Sequence, residues 1–423
     1  MEKISLKELA FPLIKAIDSF NYLLKAHQRR TAVIAYHIGK KLGLNYGDMV
    51  ELVVAAALHD IGALSVQERD SLIKEDVENP SPHCLMGYKM LSGFDMFADI
   101  AKIIRHHHIR YENREKYDED IKFQSYIIHL ADRVDICLSP DHFILNQKEK
   151  VRANILEKNG TVFHPDVCAA FEEVSKPDIF WIEINSLTME QLFSRIGFIS
   201  SIELTRLQIE QFALTISHII DFRSRFTAGH SYTVGKLAGF IGRILGMDED
   251  FCLKLTIAGY FHDIGKIGID TQYIEKVGPL TDEEYNMVKL HCYYSGQILS
   301  ELNSSEWFRD VVKWAQYHHE RLSGNGYPFS ISGEDIDAGT KIIAFSDMIS
   351  ALMEDRPYRT RLSIDVAFDI IDNYAADNID PQMIKVIDRY KPEIQQIVDD
   401  CKKRAERTYD ESVSYNMDCG IAE

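Results

Sequence analysis

Apolar residues recur at three- and four-residue steps through most of the chain, as at Leu13, Ile17, Phe20 and Leu24 and again at Ile209, Phe212, Ile216 and Ile219. That period marks one face of an α-helix turned toward a core. Alternating runs of the kind that build half-buried strands are scarce, and only 11 prolines interrupt long stretches of good helix formers. The pattern predicts an all-α protein with short loops at its Gly and Pro signals. Two segments are ambiguous or weak. Residues 178–184 read either as a short strand or as a turn of buried helix, and residues 399–423 are polar, weakly periodic and expected to fray.

One large duplication underlies the pattern. Ala57-Leu-His-Asp-Ile-Gly62 recurs as Tyr260-Phe-His-Asp-Ile-Gly265, and His27 and His230 each stand 32 residues before the histidine of that string. Downstream, His83-Cys84 corresponds to His291-Cys292, His107-His108 to His318-His319, Asp132 to Asp347, and Phe163-His-Pro165 to Ile379-Asp-Pro381. The offset is 203 residues at the front and 215 at Asp132 and Asp347, so the second copy has gained about 12 residues between His262 and Asp347. The boundary between copies is expected near residues 190–205. A triple His106-His107-His108 leaves the register of the first copy open by one; His107 and His108 are chosen because Lys102 then aligns with Lys313 and Arg110 with Arg321.

Composition narrows the function classes. A chain of 423 residues is long enough for two or three folded units, and 47 Lys and Arg against 65 Asp and Glu give a net charge of −18. That balance disfavours generic adsorption to a nucleic-acid polymer or an anionic membrane, so an anionic ligand must be held by a local site. No apolar stretch is long enough to span a bilayer and the first residues do not open a signal peptide, so a cytoplasmic protein is expected. Seven scattered cysteines, with no Cys-x-x-Cys pair, read as reduced thiols and not as a zinc knot. Trp181 and Trp314 read as core or interface fillers.

Ten of the 16 histidines fall at corresponding positions of the two copies, each set joined by an Asp directly after the second His and another near the end. Packing has no reason to ask for that set twice. A metal cluster needs neutral imidazoles and carboxylates converging from several helices. An apolar helix ending at Gly265, a residue suited to a left-handed cap, puts His262 and Asp263 in its last turn, pointing about 100° apart so that they can address two ions. Five nitrogen and two carboxylate ligands are too many for one tetrahedral zinc and suit two octahedral ions such as Fe or Mn. Paired ions bridge a water, lower its pKa and clamp the oxygens of a phosphoryl centre, which is hydrolysis of a phosphate ester.

The second copy resembles the HD-GYP branch of the HD superfamily of metal-dependent phosphohydrolases. The resemblance rests on His230-Ser231, His262-Asp-Ile-Gly-Lys-Ile-Gly-Ile269, Lys276-Val-Gly-Pro-Leu-Thr281, His291, His318-His-Glu320, Gly324-Asn-Gly-Tyr-Pro328, Asp347 and Arg356-Pro-Tyr-Arg359. It implies two tandem HD-type helical domains, a divergent one over 1–195 and an HD-GYP domain over 200–395, followed by a polar tail over 396–423. It implies hydrolysis of a cyclic dinucleotide, chiefly cyclic di-GMP to the linear dinucleotide or GMP, with 3′,3′-cyclic GMP-AMP as the alternative substrate. A non-catalytic adaptor that binds a nucleotide or partner is the competing class, and a homodimer or signalling partner stays open.

Carried over by the resemblance, His230, His262, Asp263 and Asp347 hold one ion and Asp263, His291, His318 and His319 the other. Asp263 and Lys266 are the catalytic pair, Lys266 contacting the phosphate. Arg321, Gly326, Tyr327, Pro328, Arg356 and Arg359 line the substrate groove. Three departures stand out. Phe226 occupies the place of a Glu that accompanies a third ion, Ser323 replaces the usual Asp of the Gly-Tyr-Pro loop, and Cys292 replaces a common Pro. The first copy keeps His27, His59, Asp60, His83, His107, His108 and Asp132, a set for two further ions, but has Ala63 for Lys266 and no Gly-Tyr-Pro segment. Metal without dinucleotide chemistry is the expectation there.

Overall fold

The computed structural model describes residues 11, 14, 26–63, 82–117, 120–197, 204–221, 229–355, 359–375 and 380–418. The chain divides into two compact units, residues 3–204 and residues 205–423 with the first two residues. The described elements of both are helical, as the periodicity predicts, and no extended strand occurs among them. None of the described helices is long and apolar enough to cross a membrane.

The first unit comprises α1 (His27–Lys41), α2 (Tyr46–Leu58), α3 (Pro82–Ser92), α4 (Ala98–Arg105), α5 (Phe123–Ile136), α6 (Lys148–Glu157), α7 (Pro165–Val174), α8 (Asp178–Ser186) and α9 (Met189–Arg195). The second comprises α10 (Arg206–Asp221), α11 (His230–Ile244), α12 (Glu249–Phe261), α13 (Thr271–Ile274), α14 (Asp282–Leu299), α15 (Glu306–Tyr317), α16 (Ala338–Met353), α17 (Ile364–Ala375), α18 (Pro381–Ile387) and α19 (Lys391–Asp418). The ambiguous segment at 178–184 is helix α8, with Phe180, Trp181 and Ile184 buried. The stretch expected to fray from Asp399 is instead the body of α19, which runs on to Asp418. Its inner face carries Ile394, Val398 and Cys401 at three- and four-residue spacing, all buried, which is enough period to hold a helix on its neighbours although the rest of it is polar.

The duplication is visible element by element. Asn45 and Asp248 cap α2 and α12, each accepting the backbone N–H of the residue three further on, Asp48 or Phe251. The second halves of both helices, residues 52–58 and 255–261, are buried on every side, so they run into the interior of their units against α1 and α11. The residue before each leading histidine, Ala26 and Gly229, has a positive φ, 67° and 83°, which turns the chain sharply into α1 and α11. Because these halves are buried on all sides, whatever stands at their C-terminal ends is delivered to the middle of the unit.

Candidate metal centre

What stands there is the His-Asp pair. In the second unit α12 ends at Phe261, His262 is its C-cap, and Asp263 opens a 3₁₀ turn over Ile264–Gly268. The left-handed cap expected at Gly265 is absent, since neither Gly265 nor Gly62 has a positive φ. The glycine is required for a different reason: a Cβ on Gly265 would lie 1.9 Å from the His291 carbonyl oxygen, and one on Gly62 would lie 2.1 Å from that of His83. The turn therefore rests directly on the backbone of α14. Ser295 ties the two together, donating to the His262 carbonyl at 2.8 Å and accepting the Gly265 N–H at 2.9 Å.

Each ring is oriented by its inner nitrogen. His262, His291 and His318 place Nδ1 at 2.7, 2.5 and 2.7 Å from the carbonyls of Gly259, Val288 and Ala315, three residues earlier in each case. A carbonyl only accepts, so Nδ1 carries the proton and Nε2 presents its lone pair. Burial lowers the pKa of His291 to about 4 and drives His318 and His319 well below their ordinary value. His291, His318 and His319 are therefore neutral donors at neutral pH. Burial would raise the carboxyls of Asp263 and Asp347, but the surrounding histidines, with Lys266 at Asp263, hold both well below the usual range.

The outward atoms converge in two groups joined by Asp263. On one side His262 Nε2 is 3.2 Å and His230 Nε2 3.9 Å from Asp263 Oδ2, while Asp347 Oδ1 is 3.2 Å from His230 and 3.9 Å from His262. On the other side Asp263 Oδ1 is 3.5 Å from His291 Nε2, which faces His318 Nε2 at 3.3 Å. His319 Nδ1 is 3.9 Å from Asp347 Oδ2. All seven expected ligands are thus brought together. His262 Nε2 and Asp263 Oδ1 are buried without a hydrogen bond, an arrangement that costs about 1–3 kcal/mol per group. Neutral imidazole nitrogens and carboxylate oxygens packed this closely fit divalent cations, which would satisfy the orphaned atoms.

The expected substrate residues are more dispersed. Lys266 Nζ lies 2.5 Å from Asp263 Oδ2 and its side chain is 21% exposed, so it stands at the edge between the cluster and solvent. The Tyr327 ring lies over His319, 4.8 Å between centroids, and Gly326 packs so closely on Glu320 and Arg321 that a Cβ would be 2.5 Å from the Arg321 nitrogen. Pro328, exposed, follows in the same loop. Arg321 donates to the carbonyls of His318 and Glu320, and Arg359 to those of Ala351 and Leu352, so both guanidiniums serve helix ends here. Arg356 and Phe226 lie outside the described residues.

The first unit repeats the arrangement. His27 Nε2 is 3.3 Å from Asp132 Oδ1, His59 Nε2 3.3 Å from Asp60 Oδ2, His83 Nε2 3.5 Å from Asp60 Oδ1 and 3.2 Å from His107 Nε2. His108 Nδ1 is 3.9 Å from Asp132 Oδ2, the counterpart of His319, whereas His106 packs on Tyr117. Two differences matter. Arg133 places two guanidinium nitrogens at 3.0 and 2.7 Å from Asp132 Oδ2, and Gln28 donates to Asp60 at 3.1 Å. Arg133 thus occupies an oxygen of Asp132 whose counterpart on Asp347 faces His319, while Asp60 carries Gln28 where Asp263 carries Lys266. The rim is also tighter, with Asp132 3% and His108 9% exposed against 16% for Asp347 and 21% for His319.

Sequence reasoning missed the groups that orient the leading histidines. Glu354 accepts from His230 Nδ1 at 3.0 and 3.1 Å, assisted by Ser350, while Asp135 does so for His27 at 2.6 Å and is itself gripped by Arg30. It also passed over Cys84 and Cys292, whose sulfurs fall within ligand reach of the histidines; their recurrence in both copies was the available signal. Glu320 was noticed only as part of a motif. Its buried carboxylate accepts the N–H groups of Phe329 at 2.7 Å and Ile331 at 3.1 Å, which fixes the Tyr327 loop.

Comparison with known proteins is consistent with this duplicated centre. HD-domain family profiles match residues 24–137 and 215–383. The 3′3′-cGAMP-specific phosphodiesterase 1 of Vibrio cholerae is 26% identical over 408 residues, covering 93% of this chain and 94% of that protein. The cyclic di-GMP phosphodiesterase of Thermotoga maritima is 30% identical over 213 residues, 49% of this chain and 56% of that protein. The crystal structure of a cyclic GMP-AMP-specific phosphodiesterase of V. cholerae superposes with a TM-score of 0.61 at 23% identity, over 92% of this chain and 98% of that one, a likeness of fold.

Proposed function

We propose that this chain, which belongs to the HD-domain family in both of its halves, is a metal-dependent phosphodiesterase that hydrolyses a cyclic dinucleotide in its second unit. The observation that carries the reading is the placement of Asp263. One of its oxygens faces His230, His262 and Asp347, the other faces His291 and His318, and Lys266 and the Tyr327 loop stand at the accessible edge. Two divalent cations in these seats would supply Lewis-acid activation of a water and charge neutralisation at the phosphoryl group.

The chain's own residues do the rest. His230, His262 and Asp347 would hold one cation, His291, His318 and His319 the other, with Asp263 placed to serve both. Lys266, at the accessible edge beside Asp263, would turn its ammonium to a phosphate oxygen. Tyr327 gives a nucleobase an aromatic face beside His319, and its buried phenol stays protonated because burial pushes its pKa far up. In the first unit Arg133 on Asp132, Gln28 on Asp60 and Ala63 in place of the lysine favour a centre without dinucleotide chemistry.

For the substrate, 3′,3′-cyclic GMP-AMP comes first. Relatives that align over nearly the whole chain are phosphodiesterases specific for it, whereas the cyclic di-GMP enzyme of T. maritima aligns over about half. Ser323 in place of the usual loop carboxylate also fits a changed base preference. The test is to incubate the Mn- or Fe-loaded protein with both nucleotides together and separate the products. Faster loss of 3′,3′-cyclic GMP-AMP supports the ranking, and faster loss of cyclic di-GMP reverses it. No turnover of either by metal-loaded protein overturns the enzyme reading and leaves the adaptor class.

A further inference from the structure

In both units the residue after the third clustered histidine is a cysteine, and both thiols are buried, Cys84 at 1% and Cys292 at 0% exposure. Cys292 Sγ lies 3.4 Å from His291 Nε2, and the ligand atoms of His291, Cys292, His318 and His319 all fall within 4.8 Å of one another. Cys84 repeats this with His83, His107 and His108, its sulfur 3.6 Å from His83 Nε2 and 3.5 Å from His107 Nδ1. Ligands bound at about 2.0–2.3 Å to one cation lie at most ~4.6 Å apart, which is the span of this group to within a few tenths of an ångström. A thiol placed only to fill the core would face hydrocarbon. This one faces imidazole nitrogens.

We propose that Cys292 is a sulfur ligand of the cation seated by His291, His318 and His319. The inference rests on the metal-dependent reading above and goes beyond it, because a sulfur donor changes which cation the seat prefers. With three imidazoles, one sulfur and an oxygen of Asp263, the seat favours Co²⁺, Zn²⁺ and Fe²⁺ over the oxygen-seeking Mn²⁺ and Mg²⁺. On binding, the S–H bond gives its proton to solvent and its electron pair forms the sulfur–metal bond, with no change in oxidation state. The other seat, built from His230, His262 and the two carboxylates, has no such donor, so the two seats differ in softness.

The test uses the full chain carrying Cys84→Ala, so that one such thiol remains. Metal is stripped, Co²⁺ is added, and cobalt per chain is measured by elemental analysis alongside the near-ultraviolet thiolate-to-cobalt absorption. That absorption is expected to rise with cobalt and to vanish when Cys292→Ser, which keeps size and polarity, or Cys292→Ala is added. Competition titrations should show Co²⁺ affinity falling by at least ~10-fold in the Cys292 variants while Mn²⁺ affinity changes little. Bound cobalt without the sulfur absorption, or absorption that survives in both Cys292 variants, overturns the proposal and leaves the phosphodiesterase reading standing. A chain that takes up no cobalt at all overturns both.

Discussion

Glu354 takes the Nδ1 proton of His230 between its two carboxylate oxygens, at 3.0 and 3.1 Å. That grip fixes the tautomer that leaves Nε2 facing Asp347, 3.2 Å away. Glu354→Ala should therefore weaken divalent-cation binding by about 10- to 100-fold while leaving the helical fold intact. Calorimetric titration of Mn²⁺ into stripped protein, with circular dichroism as the control, measures this.

Ala26 has φ 67°, a left-handed conformation that its counterpart Gly229 adopts at 83° without penalty. A Cβ in that region costs roughly 1–2 kcal/mol. Ala26→Gly should raise the stability of the first unit by about 1 kcal/mol, after part of the gain is lost to the more flexible unfolded chain. Denaturant unfolding of the variant beside the parent gives the difference.

His218, on α10, is held neutral to about pH 4 by burial and, secondarily, by the charge of Arg404. The unfolded imidazole takes its proton near pH 6.5, so between these values the unfolded chain binds more protons and unfolding becomes easier as pH falls. The loss amounts to about 3 kcal/mol by pH 4. His218→Gln should flatten that part of the profile, which urea melts at stepped pH values would reveal.

Glu320 holds the Tyr327 loop through the backbone N–H groups of Phe329 and Ile331 and touches no expected metal ligand atom through its carboxylate. Losing one charge-assisted bond of this kind costs about 1.5–3 kcal/mol. Glu320→Gln should raise KM by roughly 10-fold and lower kcat less. Steady-state kinetics on the preferred cyclic dinucleotide separates the two parameters.

The all-helical fold and the clustered His and Asp side chains were legible because the duplication writes the same chemistry twice at the same spacing, His27 to His59 and His230 to His262. What escaped is what the copies do differently. Asp135 orients His27 from three residues past Asp132, but the matching place after Asp347 is Ser350, and the carboxylate comes instead from Glu354, one turn further along α16. No repeat signal can point to a partner that has moved. Gly265 was recognised as necessary and given the wrong cause, since a glycine chosen for φ and one chosen for close approach look identical in a sequence. The part of α19 beyond Asp399 was missed because, among the described side chains there, Cys401 alone is buried amid many charges.

The contact of Gly265 on the His291 carbonyl, repeated by Gly62 on that of His83, couples two pieces of chain that would otherwise move apart. Backbone packed on backbone, with the Ser295 hydroxyl bonded to both sides, holds the turn that bears Asp263 against the helix that bears His291. Movement within the centre is then left to the helices that carry His230, Asp347 and the His318-His319 pair, none of which shares that contact.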